Sequence, residues 1–426
     1  MSSPDLPSSS RLREIVDHLR GAFGIFTRFP VLIPLGLITL FAQLCYSGIN
    51  NVSLPMLIPR LAIPPGEDGW ITGAVVSTFL LSETFLRLPF GWLSDRYGRA
   101  RLIIGALFLS APTVWLTGRV APAHWLALFP LRWWDGMMAA ALWPSLFALT
   151  SDLVPWRWRA NAMGLVNMMY MLALIIGSVI AGALIAHTGN PRLFFTFGST
   201  MLMAGGVIAL LFFLPRPQLN LPHPQVRLED AERCVTSVAQ HTVLLSITFA
   251  QNFAISLLAP FIFRYITEYL HFDKTQLAVL LGIPVIGVGL LALPLSRLGD
   301  LLGRLTVVRL AFTLVAAAMW LFSLWHTLPM LAGCTLVIAV GFAMGIPAWL
   351  AVISSLSGSR TRGVTMAGYG TVQGAAAVFG PLVAGLIWDR LGHGAIVPAS
   401  AAALTLATVL VWFAVPDKLD RLPHEM

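Results

Sequence analysis

Four ionisable residues sit inside long apolar runs, where each costs several kcal/mol, about 2.5 to 3.5 on insertion scales, and marks a functional site by default. Glu83 and Arg87 are four residues apart, and Arg132 and Asp135 are three apart. On a helix either spacing places the partners on one face, within reach of each other. Their chemistry would be proton transfer or partner exchange, with a carboxylate taking up a proton as its arginine turns to another ligand. A second reading also stands: two self-neutralised pairs that lower the cost of burying charge. Burial raises a carboxylate pKa while an adjacent arginine lowers it, so the types alone leave both readings open. Arg87, closer to the end of its run, can reach the interface with its long side chain and reads as structural.

No other constellation points to an enzyme. The chain has no phosphate-binding loop of the G-x-x-x-x-G-K-[ST] type, no clustered metal ligands and no nucleophile elbow. Cys45, Cys234 and Cys334 fit no zinc, redox or disulfide spacing. Neither a metal nor an organic cofactor is expected.

The elements that must hold these charges are membrane helices. Of 426 residues, 57% are hydrophobic and 11% charged, against about 25% charged in soluble proteins. Apolar stretches broken by Gly, Pro and charged turns predict helices over 31–58, 69–94, 101–118, 122–153, 160–187 and 192–214, then over 241–269, 275–298, 304–326, 328–357, 363–389 and 395–415. The expected organisation is a segment 1–30, a six-helix bundle 31–214, a linker 215–240, a second bundle 241–415 and a tail 416–426. Segment 1–30 precedes an apolar run longer than a signal-peptide core, so the first helix is expected to stay in place.

Of the 27 basic residues, nineteen fall on the N-terminal side of the membrane under this helix list and six on the other; Arg87 and Arg132 lie within helices. Basic flanks favour the cytoplasm, so both termini are expected there, in an inner (cytoplasmic) membrane. Trp70, Trp115, Trp125 and Trp325 near outer ends, and Trp92, Trp156 and Trp158 near inner ones, suit an interfacial belt. The basic residues are scattered and make no face for nucleic acid.

The chain also repeats itself. Leu88 to Arg99 aligns with Leu293 to Arg304 at an offset of 205, with six of twelve positions identical. Pro144, Arg157, Arg159, Met163, Gly177 and Gly182 recur as Pro347, Arg360, Arg362, Met366, Gly380 and Gly385 at an offset of 203. Six helices per half place both copies the same way up, the parallel repeat of a six-plus-six transporter.

Gly91-x-x-x-Asp95-Arg96-x-Gly98-Arg99 resembles the signature of the major facilitator superfamily between its second and third helices, and Asp300, Gly303 and Arg304 resemble the weaker second copy. The resemblance spans nearly the whole chain and implies an all-α membrane protein of twelve helices in two pseudo-symmetric bundles. Ala100 departs from the pattern, as do Ser296 and Leu301 in the second copy. The resemblance also implies a gate: Asp95, Arg96 and Arg99 latch the cytoplasmic side when the outer side is open, a carboxylate meeting the positive end of a helix in the other half. The alternative is ordinary positive-inside topology. Arg132-x-x-Asp135-Gly136 resembles the family's R-x-x-Q-G, with Asp135 in place of Gln.

By the same resemblance the first, fourth, seventh and tenth helices line a cavity. Gln43, Tyr46, Asn50 and Asn51 in the first, and Gln251, Asn252 and Ser256 in the seventh, are unusually polar for lipid-buried segments. They are either cavity groups or interhelical hydrogen-bond partners. Trp349, Tyr369 and Gln373 are weaker candidates. The family's antiport signature carries Gly-Pro in the fifth helix; here Gly177-Ser178 lacks the proline and Gly380-Pro381 in the eleventh has it. The expected function is secondary transport of a small solute by alternating access, coupled to protons, with efflux of amphipathic compounds ahead of uptake of an organic anion. A transporter-like sensor or assembly protein is the third reading. The protein is expected to work as a monomer in the bilayer.

Overall fold

The computed structural model describes residues 28–155, 158–216, 242–273, 276–277, 279–280, 282–283, 302–355 and 362–415. Eleven main helices fall there: α1 Leu32–Arg60, α2 Asp68–Tyr97, α3 Arg99–Thr117, α4 Leu128–Asp152, α5 Arg159–Thr188, α6 Arg192–Phe213, α7 Thr242–Leu258, α8 Arg304–Leu324, α9 Leu328–Ser355, α10 Arg362–Arg390 and α11 Ile396–Ala414. The expected eighth helix, 275–298, lies mostly outside the described residues, so α8 to α11 are the ninth to twelfth of the sequence reading. Asp300, Cys234, and most of the linker and tail also lie outside them. Among the described residues, nine helices are long and apolar enough to cross a bilayer, or ten if α7 and its bent continuation are one span. The protein is therefore multi-pass. α4 has the length, 25 residues, or about 37 Å at 1.5 Å per residue, but carries Arg132, Asp135 and Asp152.

Chain direction alternates, so the helices have a proximal end, where α1 begins, and a distal end. Two expected boundaries shift at proline. The helix expected to begin at 122 opens with a 3-10 turn, Pro122–Ala127, and becomes α-helical at Leu128. The helix expected over 241–269 breaks after Leu258 and bends by 47° into Ile262–Tyr269. Pro260 has no N–H for the ladder, and its ring disfavours helix at the residue before it. In α1, Ile49–Ser53 widen into a π turn just before Pro55.

The repeat is legible in packing as well as in letters. Ser47 on α1 donates to the Ala173 carbonyl of α5 at 3.3 Å; Ser256 on α7 donates to the Ala376 carbonyl of α10 at 3.1 Å. Ala173 and Ala376 are separated by the same offset as Gly177 and Gly380. Those two glycines do the same work: a Cβ on Gly177 would lie 2.3 Å from the Leu44 carbonyl, and one on Gly380 would lie 1.9 Å from Ser256 Oγ. Small residues let these helices touch backbone to backbone, the association mode that apolar solvent leaves available. Gly98 and Gly303, at φ +97° and +89°, open α3 and α8 in matching turns that side chains other than hydrogen rarely enter.

The halves meet along the antiparallel pair α2 and α10. A Cβ on Gly73 would sit 2.1 Å from the Pro381 carbonyl, and one on Gly374 would meet Thr84. Between these, Ser77 donates to the Val378 carbonyl at 2.7 Å.

Candidate functional site

Two polar clusters occupy the first bundle at membrane depth. The deeper one is built by α1, α3 and α4. Arg132 Nη1 is 2.7 Å from Asp135 Oδ2, and both side chains are 0% exposed. Arg132 Nη2 donates to Asn50 Oδ1 at 2.6 Å, and the guanidinium lies 4.6 Å over the Phe79 ring. Asp135 Oδ1 accepts from Ser110 at 3.3 Å and from Thr113. Tyr46 donates to Ser110 at 3.0 Å, extending the chain of hydrogen bonds to α1. Asn50 reaches in from the π turn of α1, a local widening that recurs at functional sites. The carboxylate thus has three donors, and the arginine is held by a carboxylate, an amide and an aromatic face. The carboxylate of this buried pair is fully engaged, whereas the guanidinium keeps one N–H, at Nε, without a partner among the described residues.

The second cluster is on α2. Arg87 Nη2 is 2.6 Å from Glu83 Oε1, as the i,i+4 spacing predicts, but this pair is open on one side: the arginine side chain is 44% exposed and the glutamate 11%. Tyr170 of α5 lies beside Gln43 and within electrostatic reach of Glu83 and Arg87. Tyr170 packs edge-on against Trp143 of α4 at 4.9 Å, and Phe147 and Tyr46 complete the aromatic group. The site therefore offers one partly accessible carboxylate, its arginine, and an aromatic wall.

The remaining candidates fall into place around these. Asn51 donates to Ser178 of α5 at 3.2 Å. Asn252 donates back to the Thr248 carbonyl of its own helix at 2.9 Å. Gln251 is buried in the second bundle and lines a small gap with Phe312, Gly341 and Gly345. Neither joins the clusters of the first bundle.

At the proximal end, Asp95 is 3.2 Å from Arg99, which also pairs with Asp152 of α4. Arg96 lies against the rings of Trp92 and Tyr97, and Gly91 has open space around it. In this conformation the motif is thus bonded within its own half. Gly303 and Arg304 start α8 as Gly98 and Arg99 start α3.

Sequence reasoning missed three parts. Ser110 and Thr113 carry no sequence signal, since hydroxyls are common in membrane helices. The aromatic partners Trp143, Phe147 and Tyr170 meet only in the fold. The third part is an ion network at the distal end: Arg264 reaches Asp68 of α2 at 2.6 Å and Glu268 at 2.9 Å, and Asp389 of α10 accepts from the Gly69 and Trp70 amides. Among the described residues no group of His, Cys, Asp and Glu could hold a metal ion.

A repeated bundle of membrane helices, glycine-packed between its halves and carrying a charged motif between its second and third helices, is the architecture of a secondary transporter. A model of the Major Facilitator Superfamily matches residues 35–241 and 244–425, and the chain belongs to that family. Multidrug resistance protein 1 of Bacillus subtilis (strain 168) is 21% identical over 357 residues, covering 83% of this chain and 90% of that protein. The proton-coupled antiporter flippase LtaA of Staphylococcus aureus (strain USA300) is 22% identical over 320 residues, 74% of this chain and 78% of that one. The crystal structure of the nucleoside transporter NupG shares the fold with a TM-score of 0.71 at 14% identity, over 89% of this chain and 98% of that chain.

Proposed function

We propose that this transporter couples the export of amphipathic compounds to proton entry, with Glu83 as the proton-carrying group. The observation that carries the reading is the contrast between the two buried pairs. Asp135 is sealed and fully bonded, whereas Glu83 has one arginine partner, the half-exposed Arg87, and keeps 11% of its own side chain exposed. A proton carrier must trade its proton and its partner within the cycle, and the more accessible α2 pair is the better placed to do so. The aromatic wall of Trp143, Phe147 and Tyr170 suits a cargo that is partly apolar, because aromatic faces pack apolar groups and attract cations. Two relatives, a multidrug resistance protein and a proton-coupled antiporter flippase, support the same direction.

In this reading the bundles 31–214 and 241–415 rock about the α2–α10 contact, the proximal end is cytoplasmic and the distal end faces out across the inner membrane. Gln43, Tyr46, Asn50 and Asn51 belong to the cavity wall of the first bundle or its support, and Gln251 and Asn252 to that of the second. Asp95, Arg96 and Arg99 latch the cytoplasmic side in the other half of the cycle, together with Gly91 and Gly98 and the second copy at Asp300, Gly303 and Arg304.

The test is transport in proteoliposomes with a lipophilic cationic dye as cargo. Glu83→Gln, which mimics the protonated acid, should abolish accumulation driven by a pH gradient while leaving dye exchange down its own gradient. Gradient-driven accumulation by the Gln variant at the wild-type level would remove Glu83 from the coupling role. Stimulation by organic anions in place of dyes would favour Arg87 as an anion anchor and uptake as the direction.

A further inference from the structure

The first-turn amides of a helix have no acceptor within it and carry the positive end of the helix dipole. On α2 the local cap is missing: Glu67, at the capping position, makes no side-chain bond to the turn that follows. The cap comes from the other half of the molecule. Asp389, in the last turn of α10, accepts from the Gly69 amide with Oδ1 at 2.9 Å and from the Trp70 amide with Oδ2 at 2.6 Å. The contact is tight around it, since a Cβ on Gly69 would meet Asp389 at 2.5 Å and the Gly385 carbonyl at 2.9 Å. Because α2 and α10 are antiparallel, the proximal end has the same elements in reverse: Asp95 in the last turns of α2 and the first turn of α10. There the carboxylate is turned to Arg99 at 3.2 Å instead.

We infer that Asp389 is a distal latch, the reciprocal of Asp95 on the same helix pair, and that protons arriving from the distal side release it. The inference rests on the alternating-access reading above. The charges around Asp389 single it out as the releasing group. Asp68 on α2 and Glu268 in the bent segment that follows α7 both hold Arg264, whose guanidinium also lies 4.7 Å over the Trp388 ring. His393 stacks on Trp388 at 4.1 Å. Glu67 precedes α2, Arg390 follows Asp389, and Tyr265, Tyr269 and His326 line the α7 side. Among the described residues no cation forms an ion pair with Asp389; its charge is held by two amides and a helix end, with Asp68 of like sign and Arg264 of opposite sign both within electrostatic reach. Protonation turns one of the two facing oxygens into a hydroxyl and removes the charge that made both bonds strong. The cap is then lost, and the distal ends can part. Protons thereby open the protein toward the side from which they come, the order that a proton-driven exporter needs.

The experiment is electron–electron distance measurement on the full chain in lipid nanodiscs, with spin labels at Ala121→Cys and Thr327→Cys and the three native cysteines replaced. For the otherwise unaltered protein, moving from about pH 8 to about pH 5 should raise the ratio of distally open to closed molecules by about tenfold. Asp389→Asn should show that raised ratio already at the higher pH and lose most of the pH response. Glu268→Gln, which leaves the latch in place, should keep the response. A ratio indifferent to pH, or an Asp389→Asn protein that still follows pH as the parent does, overturns the latch while leaving alternating access intact if two populations are seen. One unvarying distance in every variant and condition overturns both.

Discussion

Removing Arg132 isolates the contribution of the sealed pair. Arg132→Ala deletes the 2.7 Å bond to Asp135, the 2.6 Å bond to Asn50 and the contact over Phe79. It leaves a carboxylate with 0% exposure, held only by the Ser110 and Thr113 hydroxyls. Breaking a buried pair from one side costs about 3 to 5 kcal/mol, because the stranded charge has no solvent to return to. The two remaining hydroxyl donors put this site at the lower end, about 3 kcal/mol. Replacing both partners by apolar residues of similar volume, Arg132→Met with Asp135→Leu, removes the stranded charge and should recover most of the loss, to within about 1 kcal/mol of the parent. Buried Cys45 and Cys334 supply the assay: with Cys234 replaced, a thiol-reactive dye reports unfolding as these two thiols become accessible. If the single variant unfolds with the parent, or the double variant is as unstable as the single, the pair does not scaffold the bundle and belongs among the exchanging groups.

Further outcomes follow from other contacts. Gly98→Ala and Gly303→Ala force alanine to φ +97° and +89° and should each cost about 1 kcal/mol or more of stability, measured with the same dye. Gly73→Val places a branched side chain where the Pro381 carbonyl lies 2.1 Å from a Cβ; it should hold the distal ends apart, seen as faster labelling of distal cysteines, and unchanged labelling would contradict the α2–α10 contact. Reporters fused after Arg101, within 215–240 and at Met426 should all read cytoplasm, and one periplasmic result would break the topology.

The helices and the repeat were legible because hydropathy and Gly spacing act locally. Gly177 and Gly380 announced their equivalence by offset, and the structure gives the reason in the matching Ser47 and Ser256 bonds. The Glu83–Arg87 and Arg132–Asp135 pairs were legible for the same reason, since i,i+4 and i,i+3 partners share a face. What separates them, one sealed and one open, depends on Ser110, Thr113 and Asn50 from other helices, and no spacing along the chain encodes it. Pro260 breaks the helix expected over 241–269, and hydropathy does not register the break because the apolar run continues past it. The distal network stayed hidden because Asp68, Arg264, Glu268 and Asp389 lie at helix ends, where charge is ordinary, and because Asp68 and Asp389 are more than 300 residues apart in sequence.

The coupling of cargo to protons is tested most directly by reading both fluxes at once, in proteoliposomes holding a pH-sensitive dye inside and a lipophilic cation as cargo. The account predicts that each imposed cargo gradient drives protons the opposite way, that reversing the cargo gradient reverses the proton flux, and that Glu83→Gln moves cargo with no proton flux. Cargo movement without proton movement in the unaltered protein, or proton flux in the same direction as the cargo, would contradict it.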